Sequence, residues 1–215
     1  MACVALRSTP AKAGPVKSQT PADKAELRKE FRGKLKVIPE VERVVRSAEL
    51  RDRLARQAIW HAAESILFFV PVADEPDVWP LFLEALGQGR AIALLRFSSE
   101  SGMYEPCRVG RVADDLRPGR FGILEPAPHC PIFPVKQLDL VLAPGLGFSL
   151  AGGRLGRGKG FYDRLLAGVS GFKCGVAFDC QIAADLPMEP HDVRLNCILT
   201  PTRWHMVLPP APVLK

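Results

Sequence analysis

Apolar residues along this chain collect in short continuous runs, separated by charged stretches or by segments rich in Pro and Gly. Runs of that length, apolar at most positions, predict strands buried on both faces. Residues 66–70, 91–95, 138–143, 173–178 and 195–199 are such runs, and 103–109 is a weaker one. Helical periodicity lies between and before them. Leu27, Phe31 and Leu35 recur every four residues, one apolar stripe of a helix. Thr20 suits its N-cap, Pro21 its first position, and Asp23 can return to the cap. A second helix is expected over 39–62, with Val41, Val44, Val45, Ala48 and Leu54 inward and its many arginines in solvent. Residues 78–86 predict another, with Gly87 as the stop. Residues 114–134, rich in Pro and Gly, read as a long irregular connection.

Strands alternating with helices argue for an α/β fold, a mostly parallel sheet covered by helices. The expected architecture is a Rossmann-like three-layer sandwich with an N-terminal helical segment. Residues 21–205 read as one domain, flanked by tails at 1–20 and 206–215. Ligands of such sheets bind beyond the carboxyl ends of the strands.

The stretch Arg154-Leu155-Gly156-Arg157-Gly158-Lys159-Gly160-Phe161-Tyr162-Asp163 sits after one of these strands and leads into Arg164-Leu165-Leu166, which can open a helix. Glycines let the backbone approach a ligand and turn successive N–H groups toward it, and a helix start adds partial positive charge. Arg154, Arg157 and Lys159 add full charges, so a polyphosphate suits the loop best. Gly153, Gly158 and Lys159 match the glycine and lysine spacing of a P-loop, but Gly160 stands where a Ser or Thr would hold magnesium. A metal ligand must then come from elsewhere, and Asp163 is the nearest carboxylate. The alternative is a flexible turn with solvated basic side chains and Asp163 capping a helix.

The sequence from Leu138 to Leu166, LDLVLAPGLGFSLAGGRLGRGKGFYDRLL, resembles the signature of the 5-formyltetrahydrofolate cyclo-ligase family, also called methenyltetrahydrofolate synthetases. Pro144, Gly145, Phe148, Arg154, Gly156, Gly158, Gly160, Tyr162 and Asp163 fit that pattern. Lys24-Ala25-Glu26-Leu27-Arg28 is similar to the family's opening Lys-x-x-Leu-Arg. Residues 66–70, then Pro71 and Asp74-Glu75, resemble its first strand and a folate-contacting glutamate; Pro190-His191-Asp192 resembles the segment with a second magnesium carboxylate. The resemblance spans about residues 21–200 in the family's order.

It implies ATP- and Mg2+-dependent conversion of 5-formyltetrahydrofolate, with or without a polyglutamate tail, to 5,10-methenyltetrahydrofolate with release of ADP and phosphate. Lys24, Arg28, Arg154, Arg157 and Lys159 are then assigned to the nucleotide phosphates, with Arg157 and Lys159 as the catalytic pair. Gly156, Gly158 and Gly160 form the backbone cradle, and Asp163 and Asp192 hold magnesium. Val70, Glu75, Phe161 and Tyr162 are assigned to the folate pocket, Tyr162 also bordering the nucleotide. Bland roles stay open for three of these: a surface position for Glu75, a packed helix position for Tyr162, a polar turn for Asp192. Ser149 and Asn196 replace acids common in the family. They admit two other functions, an inactive family member that binds nucleotide or RNA, and a sister ATP-dependent enzyme acting on another heterocycle.

Composition fits one globular enzyme domain: 215 residues, 47% of them hydrophobic, with no run long and charge-free enough to span a membrane. The net charge of +6 admits nucleic acid, an anionic membrane or acidic small molecules. Nucleotide and folate suffice to explain it, so neither nucleic acid nor membrane is expected as a partner, and a monomer is. Arg7, Lys12 and Lys17, with no acid before Asp23, mark residues 1–20 as a basic disordered tail or, alternatively, a targeting peptide. The expected location is the cytoplasm, with mitochondrion or plastid in reserve. The six cysteines show no C-x-x-C pair and no zinc spacing with the four histidines, so reduced, incidental thiols are expected.

Overall fold

The computed structural model describes residues 21–119 and 122–208. The tail at 1–20, the Thr20 cap and the Asp23 side chain lie outside the described parts. In chain order the helices are α1 (Pro21–Lys36), α2 (Glu40–Ala55), α3 (Ala58–Ala62), α4 (Trp79–Gly87), α5 (Val112–Asp115) and α6 (Phe161–Ala167). The strands are β1 (Ser65–Leu67), β2 (Ala91–Phe97), β3 (Tyr104–Val109), β4 (Leu116–Pro118), β5 (Leu124–Pro126) and β6 (Leu140–Ala143). After them come β7 (Gly147–Ser149), β8 (Arg154–Leu155), β9 (Phe172–Val176), β10 (Ile182–Ala183), β11 (Cys197–Leu199) and β12 (Trp204–Met206).

The main sheet has seven strands in the order β12-β11-β9-β6-β1-β2-β3. Pairs β11–β9, β9–β6, β6–β1 and β1–β2 are parallel, and β12 and β3 add antiparallel edges. The apolar runs supply the parallel strands because each is covered on both faces. Leu50, Leu54, Trp60, Phe68 and Phe82 pack on one side; Phe133, Phe148, Leu165 and Leu166 pack on the other. Phe31 and Leu35 of α1 close a third cluster with Leu146, Leu155 and Phe178. Gly147 admits this contact, since a Cβ there would overlap the Phe31 ring.

Three expectations are corrected. The helix over 39–62 breaks into α2 and α3 at Gln57, whose backbone is extended and whose N–H bonds the carbonyl of Leu54 at 2.9 Å. Val41, Val44, Val45 and Ala48 face outward; Ser47, Leu50 and Leu54 form the buried row. The reason lies in the arginines, which are not merely a solvated surface. Arg43, Arg51 and Arg53 donate to the carbonyls of Leu35, Asp77 and Pro201 at 2.8, 2.8 and 3.0 Å. Those bonds fix the rotation of α2 by tying it to backbone oxygens of three neighbouring segments. The connection over 114–134 is likewise not irregular: β4 and β5 form an antiparallel hairpin. Glu125 of β5 accepts from the Phe97 N–H of β2 at 3.1 Å, which lays the hairpin beside the main sheet. Finally, the sheet continues into what the sequence assigns to the C-terminal tail, because Met206 pairs with Cys197. A small sheet, β10-β7-β8, was not anticipated either; two- and three-residue strands carry no readable period.

Candidate active site

The carboxyl ends of β1 and β6 open into a cavity of about 360 Å³. Phe69 and Val70 follow β1, Pro144 and Gly145 follow β6, and all four line it. The glycine loop borders one side through Arg154, Gly156, Arg157, Lys159 and Gly160. Leu95, Tyr104, Phe161 and the hairpin residues Ile123, Leu124 and Glu125 supply a largely apolar wall. Tyr104 meets Phe161 edge to face with centroids 5.0 Å apart, and Phe97 backs both rings at 5.3 and 6.5 Å. Gly158 and Gly160 have φ of +110° and +63°. Side chains with a Cβ rarely adopt such angles, so these two glycines are what let the loop double back before α6.

Electrostatics in the cavity come from fixed ion pairs. Arg154 Nη2 donates to Asp163 Oδ1 at 2.7 Å, with side-chain exposures of only 3% and 14%. Its guanidinium lies 5.3 Å from the centre of the Tyr162 ring, a cation–π contact. Arg154 Nε is buried with no hydrogen-bond partner among the described residues. Arg157 Nη2 spans the site to Asp74 Oδ1 at 2.6 Å and Glu75 Oε1 at 3.0 Å. Burial opposes the charge on Arg157, but the bonds to Asp74 and Glu75 outweigh it and hold its pKa above the ordinary value. Burial pushes the Glu75 carboxyl above its usual range, with Arg157 and the Val72 N–H pulling it back. Burial, then the charge of Glu75, pushes the Tyr162 phenol far up, so it stays a neutral donor.

The sequence model of the 5-formyltetrahydrofolate cyclo-ligase family matches residues 20–201. The chain belongs to that family. A relative from Mycolicibacterium smegmatis named 5-formyltetrahydrofolate cyclo-ligase is 32% identical over 198 residues, covering 88% of this chain and 99% of its own. One of the same name from Mus musculus is 26% identical over 192 residues, covering 82% and 92%. The NMR structure of Aquifex aeolicus 5,10-methenyltetrahydrofolate synthetase matches with a TM-score of 0.78 at 30% identity, covering 89% of this chain and 96% of that one.

The cyclo-ligase signature residues sit around one cavity, but not all of them touch it. Val70, Glu75, Arg154, Gly156, Arg157, Lys159, Gly160, Phe161, Tyr162 and Asp163 line it. Arg28 borders the loop from behind, its Nε donating to the Gly156 carbonyl at 3.0 Å. Gly158 also sits beside Arg28, since a Cβ there would stand 3.7 Å from its guanidinium carbon. Lys24 and Arg28 share a face of α1 yet meet different partners. Lys24 Nζ binds Asp192 Oδ2 at 2.8 Å and Glu189 Oε1 at 3.1 Å. Burial opposes the Lys24 charge, and the bonds to Asp192 and Glu189 raise its pKa regardless. Burial would raise the Asp192 carboxyl, but the Glu189 N–H and Lys24 hold it below the ordinary range. Asp192 does not line the cavity as Asp163 does. Asp163 does not cap α6, whose N-cap residue is Gly160 with no side-chain cap bond; its oxygen goes to Arg154.

Sequence reasoning missed Tyr104, Glu125 and the hairpin wall. Only the pairing of 116–118 with 124–126 could have revealed that wall, and no periodicity marks three-residue strands. The role of Asp74 as a partner of Arg157 had no local signal. Ser149 and Asn196 have structural work of their own. Ser149 Oγ accepts the Gly153 N–H at 3.1 Å in the β7–β8 turn, and Asn196 Oδ1 accepts the Lys173 N–H at 2.8 Å. Neither lines the cavity.

The raised Glu75 carboxyl gives a signed pH expectation. Its ionised form is disfavoured in the folded state, so this component of stability is fullest below the unfolded value near 4.5 and is lost as pH rises through the folded one. Thermal midpoints of the native chain relative to Glu75→Gln should therefore fall as pH is raised from 4.5 toward 8. A difference that grows with pH would show that the Arg157 pair, not burial, controls Glu75.

Proposed function

We propose that this chain catalyses the ATP- and magnesium-dependent closure of 5-formyltetrahydrofolate to 5,10-methenyltetrahydrofolate, with release of ADP and phosphate. One observation carries the proposal: a single cavity joins a glycine loop bearing Arg154, Arg157 and Lys159 to a wall of aromatic and aliphatic side chains. A polyphosphate suits the first side and a flat heterocycle the second. The formyl group is an amide whose oxygen leaves poorly. In the reaction that oxygen takes the γ-phosphoryl group as ADP departs. Folate N10 then attacks the formyl carbon, phosphate leaves with the oxygen, and N10 loses its proton.

The protein contributes positioning and charge neutralisation, as phosphoryl transfer generally requires. Arg157 and Lys159 neutralise the transferring group, and Arg154, with its unpartnered Nε, anchors an anion from beneath. Lys24 and Arg28 tie α1 to the same region. Glu75 accepts hydrogen bonds from the folate, and Phe161 and Tyr104 face its ring. The carboxylates of Asp163, on the cavity wall, and Asp192, beyond it, are hard oxygen donors suited to magnesium. Each would exchange its present cationic partner, Arg154 or Lys24, for the ion, which would neutralise phosphate charge when bound. The same proposal takes the enzyme to be a cytoplasmic monomer.

Purified protein with magnesium and 5-formyltetrahydrofolate, followed by ultraviolet absorbance with and without ATP, tests the reaction. ATP-dependent appearance of the methenyl chromophore is expected. A folded protein that binds ATP but gives no signal would transfer the proposal to another heterocycle. Asp163→Asn should raise the magnesium concentration needed for half-maximal rate by about tenfold, the scale of one lost charged interaction. An unaltered magnesium dependence would remove Asp163 from the metal site.

A further inference from the structure

Outside the cyclo-ligase cavity, the base of the β4–β5 hairpin gathers three side chains of different chemistry. Asp115 precedes β4, and His129 and Cys130 follow β5. Asp115 Oδ1 and His129 Nε2 are 2.9 Å apart, and these two atoms and Cys130 Sγ all lie within 4.8 Å of one another. We propose that Asp115, His129 and Cys130 bind a divalent transition-metal ion of the zinc type, with water completing the coordination.

The distances suit such an ion. With zinc bonds of about 2.0–2.3 Å at tetrahedral angles, ligand oxygen and nitrogen should be about 3.2 Å apart and nitrogen and sulfur about 3.6 Å. The Asp115–His129 pair is nearly at that spacing, and the sulfur needs to approach by an ångström or so at most. The donor set is borderline in softness, one oxygen, one imidazole and one thiolate, which favours zinc over magnesium or calcium.

The ligands are also oriented from behind, as metal ligands characteristically are. Asp115 Oδ2 accepts the N–H groups of Gly110 and Arg111 at 2.6 and 2.8 Å, which aims Oδ1 at His129. Ala127 N–H donates to the Asp115 carbonyl at 2.7 Å, and Cys130 N–H to the Ala127 carbonyl at 3.0 Å, closing the turn. Arg96 donates to the carbonyls of Ala127 and Cys130 at 2.8 and 3.0 Å, which holds the turn that carries the sulfur. Cys130 is buried and His129 is exposed, so the ion would enter from the histidine side. On binding, the thiol proton passes to water as the sulfur–metal bond forms. Without the ion, Asp115 and His129 pair directly and the Cys130 thiol donates to the Asp115 carbonyl at 3.5 Å, so metal binding exchanges that weak bond for one to the ion.

The ion would join both ends of the hairpin that supplies Ile123, Leu124 and Glu125 to the cavity wall. This inference does not depend on the reaction proposed above. Its test is cobalt(II) titration of the full chain, followed by absorbance. One cobalt per chain is expected, with a thiolate-to-cobalt charge-transfer band in the near ultraviolet that is lost in Cys130→Ala. His129→Ala, at an exposed side chain, should keep the fold by circular dichroism and weaken zinc by about tenfold or more in competition with a chromogenic chelator. The proposal is overturned if no thiolate band forms at saturating cobalt, if the band survives Cys130→Ala, or if folded His129→Ala binds zinc as tightly as the native chain.

Discussion

Lys159→Ala is expected to lower kcat by about 10²–10³-fold and to raise KM for ATP, with no change in the thermal midpoint beyond about 1 °C. The size follows from how little else can meet the developing charge at that point. The helix behind the loop, α6, has only seven residues, so its macrodipole is short and the backbone field alone is weak. Full charges on side chains must carry the stabilisation. Lys159 stands between Gly158 and Gly160, whose positive φ angles set the loop's path, and it lines the cavity while remaining exposed. Exposure is why stability should not follow activity. Lys159→Arg should restore part of kcat, because charge is kept while its geometry changes. Unchanged kinetics in Lys159→Ala would place Lys159 outside the reacting complex.

Arg154→Met should have the largest effect on stability, about 3 kcal/mol, because it strands a largely buried carboxylate. Asp163 would keep its charge at 14% exposure with its 2.7 Å partner gone. The Pro144 carbonyl and the face of the Tyr162 ring would lose the same guanidinium. In a domain of this size that is a fall of roughly 10 °C in Tm. The double variant Arg154→Met with Asp163→Asn removes the stranded charge along with its partner and should recover at least half of the loss. A single variant within about 2 °C of the native chain would mean that water solvates Asp163 as well as Arg154 does.

Both predictions concern residues that the sequence put in one loop, and the loop was legible for a local reason. Glycines required by positive φ and cations required by a polyanion occupy consecutive positions, so spacing alone displays them. The buried parallel strands were legible on similar grounds, since coverage on both faces favours apolar residues at most positions. The valines of α2 were misread because period alone cannot choose between two faces when both carry aliphatic residues. The choice fell to Arg43, Arg51 and Arg53, whose carbonyl partners are Leu35, Asp77 and Pro201. The hairpin wall went unseen because strands of three residues are too short for a period to register.

The sequence by itself thus determined the α/β class, the strand-loop-helix proposed to bind phosphate, and the family. Each of these is written in neighbouring residues. Only the tertiary structure decided which polar side chains meet: Arg157 with Asp74 and Glu75, Lys24 with Asp192, and Asp115 with His129 and Cys130. Arg157 lies 83 and 82 residues from Asp74 and Glu75 and Lys24 168 from Asp192, while 14 residues and a hairpin separate Asp115 from His129. The distance between them is set by how the sheet and its connections pack, a quantity no local pattern of side chains records.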